Sequence, residues 1–298
     1  MASNTYEAVG NKQDISDVIT NIAPYDTPLY SKIGRTKAIS TSHEWLEDTL
    51  DEATKNRQTE GFTFTTRNMP PRNRLYNYTQ IMMDGPQVTG TQEAVQKHGV
   101  RSEMAYQMRK IMKKIAFDCE KALIEQDTRV AGSMSIPREF GGLPFWLVTN
   151  VFTSGGARAL TFDLINTALE QTWNAGGKPT MLLVSPRNKR VISTFTAGHT
   201  KYMNGNETRK LTQIISVLET DFGTLQCVTD RFMPNDAIYG LDPEYIKKAF
   251  LRPFKTQFLP QISDMLREVI YGEWTLEMRA EKAHFRIEKL NGVVPGTN

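Results

Sequence analysis

Residues 14–50 read DISDVITNIAPYDTPLYSKIGRTKAISTSHEWLEDTL, and this stretch places helix-ending residues inside a polar N-terminal arm. Its first part carries an apolar stripe at the i, i+3, i+4 and i+7 spacing of one helix face, formed by Ile15, Val18, Ile19 and Ile22. Pro24 ends this helix because its ring and its missing N–H cannot continue the hydrogen-bond ladder. The stripe therefore predicts a short amphipathic helix that stops before Pro24.

A second short helix is predicted directly after this proline. Thr27 is placed to cap it, Pro28 occupies the first helical position, and Gly34 suits a left-handed residue just past its end. Leu29, Tyr30 and Ile33 give this helix an apolar edge. Helices this short do not fold alone, so both need a surface to lie on, which is either the body of the same chain or a neighbouring copy.

The overall composition predicts a globular chain that stays in the cytoplasm. The 298 residues are 39% hydrophobic and carry a net charge of +3, which lacks the cationic footprint of a sequence-specific DNA-binding protein. No uncharged apolar run approaches the roughly 18 residues of a membrane span, and the N-terminus lacks the pattern of a secretory signal. Cys119 and Cys227 are therefore predicted to be small buried apolar residues and not a disulfide.

Residues 51–92 alternate in the manner of a long hairpin. Phe62 and Phe64 alternate with threonines, Tyr76 and Tyr78 alternate with polar residues, and prolines and asparagines separate the two runs. Its many polar positions have no partner within the hairpin to bury against. The hairpin is therefore predicted to cover either its own domain or an adjacent subunit.

Residues 93–126 form the longest periodic segment and predict one long helix with a single apolar face. At a rise of about 1.5 Å per residue, this helix would be roughly 45 to 50 Å long. Its opposite face is basic and contains Arg109, Lys110, Lys113 and Lys114. Two explanations stay open for these side chains: a solvated helix face paired with acidic neighbours, or a diffuse contact with DNA phosphates.

The remaining chain alternates helices and strands. Residues 161–240 predict a compact α+β unit, in which two helices flank the apolar strand TMLLV at 180–184. The C-terminal part predicts two half-buried strands, one from the alternation at 270–279 and one from Phe285 and Ile287. We expect these two strands to lie in one sheet beside the long helix.

No set of reactive side chains converges in this sequence. The four histidines stand apart from any cysteine or carboxylate at metal-ligand spacing, and neither nucleophile elbows nor phosphate-binding loops occur. Asp118, Glu120 and Glu125 share the long helix, where a solvated face explains them better than a catalytic pair. We therefore expect no enzymatic activity, no cofactor and no metal.

The arm resembles that of the tailed-bacteriophage major capsid proteins with the Hong Kong 97-like fold. Within this group it is most similar to the short-chain major head protein family, whose arms read D-x-x-D-V-I-x-N-I-x-P-x-D-T-P. Similar family features recur in order as HEWLEDTL at 43–50, FGTLQCVTDRFMP at 222–234, LDPEYIKKAFLRPF at 241–254 and YGEWTLEMRAEKAHFRIEKL at 271–290. The resemblance thus spans most of the chain.

This resemblance implies an α+β, Hong Kong 97-like fold with five consecutive regions. They are an N-terminal arm at 1–50, an extended E-loop hairpin at 51–92, a spine helix with the start of the peripheral domain (P-domain) at 93–160, an axial domain (A-domain) at 161–240, and peripheral-domain strands with the C-terminal tail at 241–298.

The resemblance also implies a function. The chain would be a major capsid protein that self-assembles through pentamers and hexamers into an icosahedral head shell around a double-stranded DNA phage genome. It would be part of the virion and assemble in the host bacterial cytoplasm, with portal and scaffold or decoration proteins as partners and no membrane. The alternative with the same fold is an encapsulin-like nanocompartment shell.

Site residues follow from this resemblance and from their placement on segments that are too small to enclose them. We expect two groups of side chains to bury against neighbouring subunits instead of their own core: the arm residues Ile15, Val18, Ile19, Ile22, Leu29 and Tyr30, and the E-loop residues Phe62, Phe64, Tyr76 and Tyr78. The basic residues Arg109, Lys110, Lys113 and Lys114 would face packaged DNA without base readout. Lys55 lies at the base of the hairpin and not at its tip, so no covalent crosslink between subunits is expected.

Overall fold

The computed structural model describes residues 27–48, 53–64, 71–96, 99–195, 217–261 and 263–292. These residues divide into two compact units. The smaller unit contains Met83–Ile115 and Phe254–Tyr271, and the larger unit contains the other described residues. The apolar stripe of the first predicted helix, Ile15, Val18, Ile19 and Ile22, lies outside the described residues.

The helices begin where sequence capping signals stand. They are α1 (Pro28–Lys32), α2 (Gly90–Ala94), α3 (Glu103–Glu125), α4 (Leu143–Trp146), α5 (Phe162–Asn174) and α6 (Pro186–Thr194). The Thr161 hydroxyl accepts a hydrogen bond from the Leu164 N–H at the start of α5, and the Ser185 hydroxyl does the same for the Asn188 N–H of α6. Both helices flank the apolar strand at 180–184, as predicted.

The strands form three sheets. They are β1 (Gly34–Lys37), β2 (Ser42–Glu47), β3 (Asn73–Tyr78), β4 (Gln80–Asp84), β5 (Gln87–Thr89), β6 (Val151–Phe152), β7 (Met181–Val184), β8 (Val217–Thr220), β9 (Gly223–Thr229), β10 (Ile238–Leu241), β11 (Ile246–Phe258), β12 (Met265–Met278) and β13 (Phe285–Ile287). The five-stranded sheet has the order β1-β11-β12-β4, with β5 pairing β12; the six-stranded sheet has the order β6-β13-β10-β7-β9-β8; β2 and β3 form a separate ribbon.

The six-stranded sheet packs with α5 and α6 around the main apolar cluster of the larger unit. β10 and β9 pair with the two edges of β7, so β7 is a central strand of the sheet, and all four of its residues are buried. Side chains from α5, α6 and the sheet fill this cluster, among them Ile165, Leu169, Leu182, Val191, Ile192, Ile238 and Phe285. The ring of Phe285 occupies the space where a Cβ of Gly240 would stand, so β10 and β13 approach each other closely at this glycine.

The two C-terminal strands do not share a sheet, so that prediction was wrong. β12 lies in the five-stranded sheet, whereas β13 pairs antiparallel with β10 and parallel with β6. Phe285 and Ile287 on β13 are fully buried and belong to the apolar cluster beneath the six-stranded sheet. Burial of these two side chains therefore places the last strand in the sheet that also holds the 180–184 strand.

The spine helix, α3, has 23 residues and is shorter than the segment predicted from its periodicity. At about 1.5 Å per residue it is roughly 34 Å long. The predicted helix is interrupted because Gly99 adopts a left-handed conformation with a φ of 73°. The Glu93 carboxylate then accepts hydrogen bonds from the N–H groups of Glu103 (3.0 Å) and Met104 (3.2 Å), and so caps the start of α3.

The alternation around Phe62 and Phe64 predicted that these residues form the first strand of the hairpin ribbon. The structure forms that strand from a different segment. β2 pairs antiparallel with β3 from Ser42 opposite Tyr78 to Glu47 opposite Asn73, and residues 53–64 contain no strand. The HEWLE segment, predicted to belong to the arm, therefore forms the ribbon. Its Trp45 supplies the physical reason, because this buried ring packs 5.2 Å from the ring of Trp146.

Candidate assembly surfaces

The base of the arm is attached to α3 by a buried carboxyl group. Glu120 of α3 accepts hydrogen bonds from the backbone N–H groups of Leu29 (2.7 Å) and Tyr30 (2.6 Å), at the start of α1. These N–H groups have no partner inside a helix of five residues, and Thr27 makes no side-chain cap. Glu120 therefore supplies the cap that the sequence assigned to Thr27.

A lysine from the five-stranded sheet completes this attachment. The buried Lys248 ammonium group donates to the backbone carbonyl of Tyr30 and lies 3.9 Å from the centroid of the Tyr30 ring. The same ring meets Trp274 edge-on at a centroid distance of 5.6 Å. α1 is thus held by a carboxyl group from the spine helix, an ammonium group from β11 and an aromatic contact from β12.

Burial shifts the pKa of the ionisable groups around α1. It raises the pKa of Glu120 to about 9, with the neighbouring Asp230 carboxyl group as the next cause. Burial also lowers the pKa of Lys248 to about 8 and raises that of the Cys119 thiol to about 12. These directions favour the neutral form of each group, as expected where charges are removed from water.

Three predictions for this region were wrong. Leu29 is 0% exposed, so it belongs to the subunit's own core instead of a contact with a neighbour. Tyr30 packs on Trp274 of its own chain but is only partly buried, so its contact with a neighbour stays a prediction. Glu120 is fully buried and not part of a solvated helix face. Gly34 is the first residue of β1 and not a left-handed residue; a Cβ at this position would meet the Lys247 side chain.

The sequence contained a signal for the burial of Glu120 that spacing alone reveals. Phe117 and Ile124 stand at positions i−3 and i+4 from this glutamate, on the side of the helix opposite the main apolar face. Phe117 packs 6.3 Å from Phe232, and Ile124 is buried. Glu120 therefore lies in a second apolar stripe of α3. The sequence around Lys248 contained no comparable signal that this lysine is buried.

The tyrosines of the ribbon are engaged by their own chain. The guanidinium group of Arg129 lies 3.8 Å from the ring centroid of Tyr76 and 5.9 Å from that of Tyr78. Its Nη1 also donates to the Tyr76 carbonyl at 2.5 Å. Tyr76 and Tyr78 thus hold the ribbon to the segment after α3, and because Tyr76 is still 37% exposed, a contact of this ribbon with a neighbour stays a prediction.

The tip of the hairpin, residues 53–64, is not covered by its own chain. Every residue from 53 to 64 is exposed, including Phe62 at 55% and Phe64 at 78%. Burying a large apolar side chain contributes about 1.5 to 3 kcal/mol, and neither ring gains this within one subunit. Of the predicted contact residues that the structure describes, Phe62 and Phe64 are the most exposed, followed by Tyr76 at 37%, and these are available to a neighbouring copy.

The basic face of α3 is exposed at all four predicted positions, Arg109, Lys110, Lys113 and Lys114. The Lys114 ammonium group lies 2.5 Å from a carboxylate oxygen of Asp84, and this hydrogen bond lowers the pKa of Asp84. The Arg109 Nε donates to the Ala105 carbonyl of the same helix at 3.3 Å. Lys114 therefore matches the ion-paired explanation, while the face as a whole remains accessible.

The described residues contain no cluster of three or more His, Cys, Asp or Glu side chains that could hold a metal ion. Within the same ranges, no helix is both long and apolar enough to cross a membrane. Cys119 and Cys227 are buried and unpaired, as predicted. His284 is fully buried, and this burial lowers its pKa to about 3, so that its ring stays neutral.

Comparison with known proteins identifies the family. The family model described as SU10 major capsid protein matches residues 2–291. The major capsid protein of Escherichia phage Phieco32 is 21% identical, and the match covers 94% of this chain and 93% of that protein.

Solved structures agree in fold. The capsid of cyanophage A-1(L) has a TM-score of 0.72 at 13% identity, covering 94% of this chain and 97% of that one. The capsid of an empty GTA particle has a TM-score of 0.65 at 11% identity, covering 97% and 100%. The SrpI encapsulin of Synechococcus elongatus PCC 7942 has a TM-score of 0.61 at 10% identity, covering 97% and 95%.

These matches confirm the Hong Kong 97-like fold and favour a phage capsid over an encapsulin, because both the family model and the curated relative are phage major capsid proteins. The chain belongs to the SU10 major capsid protein family, and its function is that of a phage major capsid protein.

Proposed function

We propose that this subunit tiles an icosahedral head shell by reaching over its neighbours with the tip of its hairpin ribbon. The observation that carries the proposal is the exposure of Phe62 and Phe64 on residues 53–64. The base of the same ribbon is fixed by Arg129 and by the Trp45–Trp146 contact, whereas every residue from 53 to 64 is exposed. A fixed base with an uncovered apolar tip is suited to contact another copy.

Repetition makes such a contact strong. One buried phenylalanine contributes about 1.5 to 3 kcal/mol, which is modest for a single pair of subunits. In a closed shell every subunit both gives and receives the contact, and the loss of one contact leaves the subunit held by others. Non-covalent contacts of this size therefore suffice to stabilise a shell without crosslinks.

The proposal extends to the partners of the shell. Pentamers and hexamers of this chain would close the shell around double-stranded DNA in the host cytoplasm, with a portal and scaffold or decoration proteins. Arg109, Lys110 and Lys113 offer phosphates an exposed basic surface that does not read bases. Residues 1–26 would add an arm contact. The chain would act through geometry alone, without enzymatic activity.

The test compares two double variants at the same positions. Phe62→Ser with Phe64→Ser removes the apolar tip, whereas Phe62→Leu with Phe64→Leu keeps it apolar. We expect the serine variant to remain a folded subunit with an unchanged melting temperature but to form no particles in electron micrographs, while the leucine variant assembles.

Normal particles from the serine variant would contradict the proposal. A lowered melting temperature of the unassembled serine variant would also contradict it, because the two rings would then belong to the subunit's own core. Particles that enclose a specific protein and no nucleic acid would favour the encapsulin-like alternative.

A further inference from the structure

The five-stranded sheet ends in an open strand edge at β1. On one side β1 pairs parallel with β11, in a register that sets Lys37 opposite Phe250. On its other side β1 has no partner among the described strands. Ile39, just after β1, is 90% exposed although it is a large apolar side chain. The unpaired N–H and C=O groups of such an edge are a template for one further strand.

The register with β11 decides which backbone groups face this open edge. The Ala38 N–H donates to the Phe250 carbonyl at 3.0 Å, so Ala38 and, two residues before it, Thr36 direct their backbone groups to β11. Successive residues of a strand direct their N–H and C=O groups to opposite edges. Arg35 and Lys37 therefore direct their N–H and C=O groups away from β11. Each of these two residues offers one donor and one acceptor at the open edge.

The segment that contains β1 is basic. Residues 27–43 contain neither aspartate nor glutamate, and their basic residues are Lys32, Arg35 and Lys37. Arg35 and Lys37 are exposed, and neither forms an ion pair with a described residue. Lys32 donates to the side-chain oxygen of Gln226, which carries no charge. The positive charges of this segment are thus not neutralised by the described part of the subunit.

The first residues of β11 extend this positive surface. Lys247 and Lys248 stand opposite the first two residues of β1 in the register of the two strands. After burial, repulsion by Arg35 is the next cause that lowers the pKa of the Lys248 ammonium group to about 8. Glu44, the first acidic residue after β1, is already paired with Arg74. The open edge therefore carries positive charge that an acidic partner would complement.

A peptide strand fits this edge better than a nucleic acid does. A phosphate group accepts hydrogen bonds from N–H groups but cannot donate to the carbonyls of Arg35 and Lys37, whereas a peptide backbone does both. A second copy of β1 is disfavoured, because it would place like charges directly opposite each other. A strand with acidic side chains pairs with both the backbone and the charges of β1, and an apolar side chain next to them would cover Ile39.

We propose that β1 binds an extended acidic segment of a different protein as an added strand, with its carboxylates opposite Arg35 and Lys37. This inference goes beyond the proposed tiling of the shell, because it concerns a partner other than this chain. The N-terminal arm of this chain is a poor occupant, since the apolar stripe at 15–22 predicts a helix and a helix cannot join a sheet. The added strand supplies the donor and the acceptor that each outward-facing residue of β1 lacks.

The test measures, by fluorescence anisotropy, the binding of a fluorescein-labelled peptide of alternating valines and glutamates to the unassembled subunit, and we expect the wild type to bind it. Lys37→Pro and Lys37→Ala form a matched pair of variants: both remove the charge, but only proline removes the outward N–H group. Neither should change the melting temperature, because proline is tolerated in an edge strand where its nitrogen faces away from the neighbouring strand. We expect Lys37→Pro to raise the Kd about fivefold more than Lys37→Ala, the factor for one backbone hydrogen bond.

A second comparison changes the peptide and leaves the subunit intact. The same peptide with N-methylated backbone nitrogens keeps its charge but cannot donate hydrogen bonds, and we expect its affinity to fall at least about tenfold. The same peptide with lysines in place of its glutamates should not bind, since its charges repel those of Arg35 and Lys37.

Four results would overturn the proposal. Absence of binding to the wild type, or equal Kd values for the two Lys37 variants, would show that β1 adds no strand. A lower melting temperature for Lys37→Pro than for Lys37→Ala would show that this N–H group is used within the subunit. If the chain expressed alone forms particles with Lys37→Ala but not with Lys37→Pro, another copy of this chain occupies the edge. Displacement of the peptide by a short DNA duplex at physiological salt would identify a phosphate-binding surface instead.

Discussion

Replacing Glu120 by alanine tests the attachment that holds α1 to the spine helix. The substitution removes the acceptor for two N–H groups, those of Leu29 and Tyr30, at 2.7 and 2.6 Å. A buried donor left without a partner costs about 1 to 3 kcal/mol, so the loss of both should cost roughly 2 to 6 kcal/mol. Since a folded domain is stable by about 5 to 15 kcal/mol, this is a large fraction of the total.

The measurement is the free energy of unfolding of the unassembled subunit in urea. A matched control is Glu125→Ala on the same helix, where the side chain is exposed and lies 3.6 Å from Lys121 in a surface ion pair. That control should lose no more than about 0.5 kcal/mol. If Glu120→Ala loses no more than Glu125→Ala, the attachment of α1 does not depend on this carboxyl group and the reasoning is refuted.

The pH dependence of stability gives an independent measure of the same group. The pKa of Glu120 is raised from 4.5 to about 9 in the folded chain, so its stabilising contribution is complete below pH 4.5 and is lost as the pH rises through 9. The pKa of Lys248 is lowered from 10.5 to about 8, so its contribution is present above pH 10.5 and lost as the pH falls through 8. Between about pH 5 and 8, Glu120 binds a proton when the chain folds, whereas Lys248 is protonated in both the folded and the unfolded chain. The free energy of unfolding should therefore fall on the order of 1 kcal/mol per pH unit over this range.

Glu120→Gln separates this slope from the titration of other groups. The glutamine cannot ionise, so the difference in unfolding free energy between the wild type and the variant should shrink as the pH rises from about 5 to 8. Equal slopes for the two proteins over this range would show that Glu120 does not titrate between pH 5 and 8 in the folded chain.

Three further predictions follow from the fold. Deleting residues 1–34 should unfold the subunit because it removes the buried Leu29, whereas deleting residues 1–26 should leave its melting temperature unchanged; equal melting temperatures for both deletions would contradict this. Gly240→Ala should lower the free energy of unfolding in urea by about 1 to 3 kcal/mol, since its Cβ would overlap the Phe285 ring, and a wild-type value would show that β10 and β13 separate freely. Mature particles should run as 33.8 kDa monomers on denaturing gels, because Lys55, the lysine of the predicted hairpin at 51–92, is exposed and not enclosed in the dry site that a crosslink needs; a ladder of covalent oligomers would contradict this.

The sequence predicted the elements of this fold that depend on local patterns. The apolar strand at 180–184, the helices that flank it and the proline at the start of α1 were all predicted, since periodicity and capping residues are local properties. The order of family motifs predicted the fold and the family, which the comparisons confirm.

The errors concern partners that are distant in the chain. Phe62 and Phe64 alternate like a strand, but β3 pairs with His43–Glu47, whose Trp45 finds a buried partner in Trp146. Leu29 was assigned to a neighbouring subunit because its short helix cannot enclose it, although Glu120, 91 residues away, attaches that helix to its own chain. Spacing along the chain does not reveal which copy supplies a covering surface. The domain boundaries and, apart from Leu29, the inter-subunit roles of the site residues therefore stay predictions.

The position of β13 has a consequence for the timing of folding. This strand, Phe285–Ile287, lies between β6 and β10, so the six-stranded sheet has a gap until these residues have been synthesised. A nascent chain on the ribosome cannot close this sheet or complete its apolar cluster, because Phe285 and Ile287 have not yet emerged. Completion of this sheet therefore waits until residues 285–287 have been synthesised, after its other strands have been made.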